Sequence, residues 1–237
     1  MKKTNYLILT CLIAIFIASS SCANNFCYQR VNAYVGIVGG ANSPSGKYRA
    51  FDRISGETHR ATLGGLEALG GGVVGVQTYS DNFFIAVQGN LLYNSASRTL
   101  THDTDTSGIA NHTANLKNDF QWGADLRLGY AICQVTPYIL GGFATGHWSL
   151  RLENNSGTSN FGIPANSVFS LGKSLWGPKV GGGITFSVDS YMVNFEYSYT
   201  WFGSINRDLT DSLSDHTWNH HQSIQQGAFL VGINWLF

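Results

Sequence analysis

The feature that most constrains this chain is an alternation of apolar and polar residues with a period of two, repeated over most of its length. In 191–201 the odd positions are Tyr191, Val193, Phe195, Tyr197, Tyr199 and Trp201, and the even ones include Asn194, Glu196, Ser198 and Thr200. Successive side chains of an extended strand point to opposite faces, so this segment is a strand with one greasy and one polar side. The same rhythm runs through 119–130 (Phe120, Trp122, Ala124, Leu126, Leu128, Tyr130), 174–188 (Trp176, Val180, Ile184, Phe186) and 83–94 (Phe83, Ile85, Val87, Leu91, Tyr93). It returns in the final residues as Phe229, Val231, Ile233, Trp235 and Phe237. Further strands, blurred by glycine, are expected at about 31–40, 69–79 and 136–148, and the last of these has no clear phase.

These segments make eight strands whose connections alternate in length. Short connections fall at 80–82, 131–135 and 188–190, in residues that favour turns. Long ones span about 41–68, 95–118, 149–173 and 202–222 and are rich in Asn, Ser, Thr, Asp and His. Four such connections are unusual in a compact water-soluble domain. Short turns at one end and long loops at the other is the layout of a barrel that crosses a membrane.

Composition decides which face meets which solvent. Charged residues are 12% of the chain, about half the roughly one quarter usual in soluble domains. Lys+Arg and Asp+Glu balance at 14 each, which excludes a basic nucleic-acid binder and a charged disordered segment. On the five clearly phased strands, no Asp, Glu, Lys or Arg occupies an apolar-face position. Lipid exposure demands this, because a Lys or Arg at mid-bilayer costs about 2–4 kcal/mol. A soluble lipocalin-like barrel would instead carry Lys and Glu outside and its apolar face within. Tyr93, Tyr130, Trp176, Tyr191 and Trp235 lie towards strand ends, where membrane interfaces collect aromatics. The expected fold is all-β: an eight-stranded antiparallel up-and-down transmembrane β-barrel, with short periplasmic turns and long extracellular loops.

A leader precedes it. Lys2 and Lys3 stand before an apolar core from Tyr6 to Ala18, and Ser21-Cys22-Ala23 supplies small residues before Asn24. This is the form of a signal peptide cleaved after Ala23, leaving residues 24–237 as one barrel domain. Lipidation at Cys22 is disfavoured by Ser19, where lipoprotein signals usually carry Leu.

The terminal pattern Phe229-x-Val231-x-Ile233-x-Trp235-x-Phe237, with the opening Ala33-Tyr34-Val35-Gly36, resembles the small OmpA/OmpX-type outer-membrane barrels of Gram-negative bacteria over about 31–237. The resemblance implies residence in the bacterial outer membrane. It implies that the five terminal residues form the signal read by the barrel assembly machinery. The implied partners are outer-membrane lipids, that machinery and, through the loops, host surface molecules, with no nucleic acid among them. The implied role is non-enzymatic and without a cofactor: envelope integrity, adhesion or a surface antigen. The peptidoglycan-binding domain of full-length OmpA proteins has no counterpart in these residues, so wall anchoring is not carried over.

Several constellations carry chemistry by letter. Asp125, Arg127, Lys179 and Glu196 occupy polar-face positions, two of each sign. At similar heights in a narrow barrel they form a paired interior network, read either as a gate in a narrow, porin-like water path or as a sealed interior; the sealed reading is preferred, because eight strands leave room for little beyond side chains. His147, Ser149 and Glu153 offer a hydrolase reading of the kind found in lipid A-modifying barrels, with no second motif behind it. His102, His112, His216, His220 and His221 show no spacing of a metal site, so none is expected. Gly70-x-Gly72-x-x-Gly75 matches the dinucleotide fingerprint but opens a strand where that motif requires a helix. Cys27 and Cys133 both fall at the periplasmic end, where one disulfide would pin the tail across the barrel base.

Overall fold

The computed structural model describes residues 31–56, 58–94, 97–103, 111–154, 163, 166–210 and 217–237. The leader and Cys27 lie outside these residues. The described chain forms ten strands: β1 (Val31–Asp52), β2 (Thr58–Gly64), β3 (Glu67–Ser80), β4 (Phe83–Asn94), β5 (Ser97–Asp103), β6 (Asn111–Tyr130), β7 (Val135–Asn154), β8 (Ser167–Val188), β9 (Tyr191–Thr210) and β10 (Thr217–Leu236).

Eight of them close a ring in the order β1, β3, β4, β6, β7, β8, β9, β10, each antiparallel to its neighbour. β10 pairs back onto β1 from Tyr34↔Leu236 to Asp52↔Trp218, which seals the sheet. The other two strands extend ring positions upward. β2 takes over from β3 along the far half of β1, from Ser45↔Gly64 to Phe51↔Thr58. β5 takes over from β4 along β6, from Ser97↔Lys117 to Asp103↔Asn111.

The three short turns are tight. Asp81 and Asp189 take positive φ (53° and 51°), a conformation Asp tolerates better than most residues. Cys133 takes φ 58° in the third turn.

The band next to these turns is apolar outside. Ile37, Val74, Ile139 and Trp176 are between 61% and 73% exposed, and they are flanked all round the ring by further exposed apolar side chains. Aromatic pairs mark both margins. Phe83–Tyr130 and Tyr191–Trp235 (ring centroids 5.7 and 6.0 Å apart) lie at the turn end, and Tyr93–Phe120 and Tyr199–Trp201 (5.1 and 4.9 Å) at the other. An apolar belt of this extent has no place in water.

At the opposite end the structure departs from the sequence-based expectation. All four long connections leave that end, but much of each is strand. β1 runs on to Asp52, β7 to Asn154 and β9 to Thr210, while β6, β8 and β10 begin at Asn111, Ser167 and Thr217. Their polar residues are not loop residues; they are the water-facing half of an alternation whose apolar half turns inward. Trp148, Leu150 and Leu152 are buried while His147 and Arg151 are exposed.

This upper wall is not a closed ring. Among the described residues the β8–β9 ladder stops at Lys179↔Thr200. Beside that point stand Pro178, which has no N–H to donate, and Gly203, whose φ of 89° breaks the line of β9. The β9–β10 register shifts at the same height, between Ile224 and Gln225. No ladder among the described residues joins β2 to β5. The upper wall is therefore two four-stranded sheets, β9-β10-β1-β2 and β5-β6-β7-β8.

The belt makes a direct prediction. Leu126→Arg, midway up the apolar face of β6, should lower the unfolding free energy in lipid by about 2–4 kcal/mol. His147→Arg, outward but above the belt, should leave it within about 0.5 kcal/mol. Urea titration of the refolded protein in lipid vesicles measures both, and equal effects would mean that the belt does not face hydrocarbon.

Candidate functional site

Asp125 and Arg127, two residues apart on β6, point to the same side of the sheet, the lumen. Lys179 on β8 and Glu196 on β9 point to meet them, and all four are buried. Arg127 Nη2 lies 2.5 Å from Glu196 Oε2. Lys179 Nζ lies 2.8 Å from Asp125 Oδ2 and 3.5 Å from Glu196 Oε1. Asn90 donates to Asp125 Oδ2 at 2.9 Å, and the Tyr138 hydroxyl donates to Glu196 Oε2 at 3.1 Å. The Arg127 guanidinium also stacks over the Tyr138 ring at 4.9 Å. The result is one neutral chain of contacts, Asn90–Asp125–Lys179–Glu196–Arg127–Tyr138, laid across the lumen. Arg127 Nε and Glu196 Oε1 have no hydrogen-bond partner among the described residues. Both residues line a cavity of about 10 Å³, room for one water at most.

The lumen is filled on either side of this cluster. Towards the turns, Tyr34 donates to Gln88 at 3.1 Å and Asn234 to Asn194 at 3.0 Å. Phe84, Ala86, Tyr138 and Leu140 pack together below them. Tyr138 fits because Gly183 lies opposite: a Cβ there would stand 2.6 Å from its hydroxyl. Towards the other end comes an amide belt. Gln121 donates to Gln226 at 2.6 Å, Asn42 to Asn94 at 2.8 Å and Asn94 to Asn118 at 3.2 Å.

Above the amides the lumen turns apolar. Leu116, Ala144, Trp148, Leu175, Phe202, Ile205 and Ile224 form one buried cluster drawn from both upper sheets, with Trp148 and Phe202 edge to face at 5.2 Å. A second cluster of Leu150, Leu152 and Ile163 lies over it, packed by Tyr48, Phe169 and Leu209. The Tyr48 hydroxyl lies 2.6 Å from His220 Nδ1. Burial holds that hydroxyl well above the ordinary phenol pKa, so it stays protonated. This apolar plug escapes a reading that takes polar runs as loops. Its available signal is the alternation of Trp148, Leu150 and Leu152 with Ser149, Arg151 and Glu153.

The remaining sequence candidates do not converge. His147, Ser149 and Glu153 share the outward face of β7, yet His147 Nδ1 meets Ser174 Oγ at 3.4 Å and Ser149 Oγ meets Ser170 Oγ at 3.5 Å. Glu153 is paired with Arg151 at 2.7 Å. The three residues named from the sequence are thus each engaged with a different neighbour. His220 is buried against Tyr48, whereas His221 faces outward and bonds Asn206. The side chains of His102 and His112, and all of His216, lie outside the described residues. No three metal-binding side chains come together among the described residues. The glycine triplet lies in the middle of β3, with Gly75 beneath Tyr34. Cys133 is half-buried in its turn; its expected partner Cys27 lies outside the described residues. Phe229, Ile233, Trp235 and Phe237 are exposed on the apolar belt and Val231 is half-buried there.

The cluster predicts a strong asymmetry between single and double substitution. Arg127→Met should cost about 3–5 kcal/mol, because Glu196 keeps a buried charge without its main partner. Arg127→Met combined with Glu196→Gln should recover most of that loss. Urea midpoints of the refolded variants measure the difference.

Compared with known proteins, the chain matches no protein-family model and no curated protein. Among solved structures it overlaps Neisserial surface protein A at 11% identity and a TM-score of 0.42, covering 86% of this chain and 97% of that one. It overlaps Ail, the attachment invasion locus protein of Yersinia pestis, at 12% identity and a TM-score of 0.40, covering 86% and 99%. It overlaps the outer membrane protease OmpT from Escherichia coli at 10% identity and a TM-score of 0.46, covering 91% and 99%. The closed eight-stranded barrel described above stands on the chain's own strand register, independently of these overlaps.

Proposed function

We propose that the chain is an integral outer-membrane barrel whose upper wall serves as a structural and contact surface outside the cell, in envelope integrity, adhesion or as a surface antigen. The observation that carries the reading is the exposed apolar belt with aromatic margins, bounded by tight turns on one side and a tall polar-faced wall on the other. Only a ring with no free strand edge is stable in hydrocarbon, and the belt spans the height at which this ring is closed. The terminal residues Phe229, Val231, Ile233, Trp235 and Phe237 suit recognition by the barrel assembly machinery. Cys133 is placed at the turn end, where a bond to Cys27 would tie the tail to the barrel base.

The filled lumen supports a surface role over a conducting one. A solute crossing it would have to displace the Arg127–Glu196 and Lys179–Asp125 pairs, the amide belt and the plug around Trp148. The protein should therefore be silent in planar lipid bilayers. Steady unitary conductance that Glu196→Ala changes would replace this reading with a channel.

Two measurements test the main assignment. The chain should stay with outer membranes through carbonate washing and migrate faster on gels when unboiled. Deleting 206–221, which shortens the β9–β10 hairpin, should preserve heat-modifiable migration while removing any attachment of expressing cells to host-cell material. Attachment that survives this deletion would refute a role for that hairpin.

A further inference from the structure

Charge on the outside of the upper wall is paired in some places and concentrated without a partner in one. On the β6–β7 side, Lys117 pairs with Asp119 at 2.8 Å and Arg151 with Glu153 at 2.7 Å. Just past the end of β1, Arg53 pairs with Asp208 at 2.8 Å. Five other exposed basic residues have no ion pair with a carboxylate among the described residues: Lys173 on β8, whose Nζ donates to the Ser204 carbonyl at 3.4 Å, Arg207 on β9, and three that stand together, Lys47 and Arg49 on β1 and Arg60 on β2. Register places Arg49 directly opposite Arg60 on one flank and directly opposite His221 on the other. Lys47 is the next outward residue down β1. Like charges directly opposed across a ladder destabilise it. Among the described residues Arg49 is engaged by the face of Phe51, 5.1 Å from its guanidinium. Arg60 and Arg49, with Lys47 beneath them, make a positive strip that no carboxylate among the described residues neutralises.

The position of the strip selects its counter-charge. The outward face of β1 is apolar or glycine from Ala33 to Ala41 and then turns polar at Ser43 and Ser45. A tilted strand of 9–11 residues crosses the hydrocarbon, so on β1 the crossing ends near Ser43. At about 3.3 Å per residue and a tilt near 40°, Lys47 stands roughly 10 Å above that edge and Arg49 roughly 15 Å. Both point sideways from the wall, towards whatever surrounds the barrel in the plane of the membrane. In an outer leaflet those neighbours are headgroups.

We infer that Lys47, Arg49 and Arg60 form a binding strip for the phosphate groups of a phosphorylated saccharide lipid in the surrounding leaflet. Guanidinium groups suit this task because each presents a planar fork of donors to two phosphate oxygens. Two arginines side by side, with an ammonium below, would grip two such groups at different depths. The otherwise unfavourable Arg49–Arg60 opposition is then relieved whenever lipid is bound. The strip rests on the membrane reading of the belt, and it adds a preferred neighbour to that reading.

The test uses the full chain refolded in non-ionic detergent, with bis-phosphorylated lipopolysaccharide of the short-core type as the probe and its dephosphorylated form as the control. Native mass spectrometry reads the lipid retained per barrel. The protein should retain the phosphorylated form at least tenfold better than the dephosphorylated one. Lys47→Gln/Arg49→Gln/Arg60→Gln should lose that preference, whereas Arg151→Gln, at a residue paired with Glu153, should keep it. Heat-modifiable migration verifies that each variant is folded. Equal retention of the two lipids, or retention unchanged in the triple variant, overturns the strip. A sulfated polysaccharide that binds through the same three residues while the phosphorylated lipid does not would also overturn it, by assigning the strip to a soluble polyanion. Failure of the belt itself is separate, since it appears as loss of the chain from washed outer membranes whatever the retention result.

Discussion

Every backbone N–H in hydrocarbon must find a partner within the protein, and the rest of this structure is arranged around that demand. It is why β1 and β10, at opposite ends of the described chain, pair along almost their whole length. It is also why the three prolines among the described residues stand where they do. Pro178 sits just above the last rung between β8 and β9. Pro137 sits just below the first rung between β6 and β7, Gly129↔Tyr138. Pro44 falls in the gap on β1 where β3 has ended, at Asn42↔Glu67, and β2 has not begun, at Ser45↔Gly64. A residue without an N–H is tolerated at a missing rung and costly elsewhere. Once the strands rise out of the belt, water satisfies what a neighbour does not, and the ring parts into two sheets without penalty.

The change of solvent also inverts the wall. Within the belt the outward residues are apolar, and the lumen mixes amides, hydroxyls and charges with small apolar clusters such as Phe84, Ala86, Tyr138 and Leu140. Above it the same strands carry their apolar residues inward. β7 contains both regimes: Ile139 and Phe143 face out, while Trp148, Leu150 and Leu152 face in. Because odd residues face out throughout this strand, its apolar positions move from odd to even part-way along. Along β7 no bulge is needed for this, since the strand keeps its phase and only the medium outside it changes, whereas β6 shifts register against it between Asn118 and Gln121.

That inversion explains what could be read from the sequence and what could not. The five strands with clean alternation lie mostly in the belt, where one face must be wholly apolar, so both their existence and their orientation are legible. In 136–148 the lumen side is itself apolar, at Tyr138, Leu140 and Ala144, and alternation loses its contrast. The upper wall is written in short apolar runs among Ser, Thr, Asn and charged residues, which composition alone reads as loop. Asp125, Arg127, Lys179 and Glu196 are identifiable as lumen residues from parity. That they pair is also legible, from their similar heights and balanced charge; which meets which is not, because it depends on the stagger of β6 against β8 and β9, which the belt pattern leaves free. The same limit applies to Arg49 and Arg60, whose opposition exists only through the β1–β2 register in a segment that looks like a loop.

A lumen that binds itself this completely has little to offer a solute, and this shifts the search for function to the outside. The interior cluster is neutral, with two charges of each sign held in direct contact, and its cost in desolvation is met within the barrel. The amide belt and the plug around Trp148 and Phe202 then keep water and solutes from that cluster. Charge that remains without an internal partner is found on the upper wall, where exposure to water makes it cheap to carry and available to another molecule. The upper wall is therefore the part of the molecule with charge left open to solvent, and the closed belt beneath it holds that wall upright at the membrane.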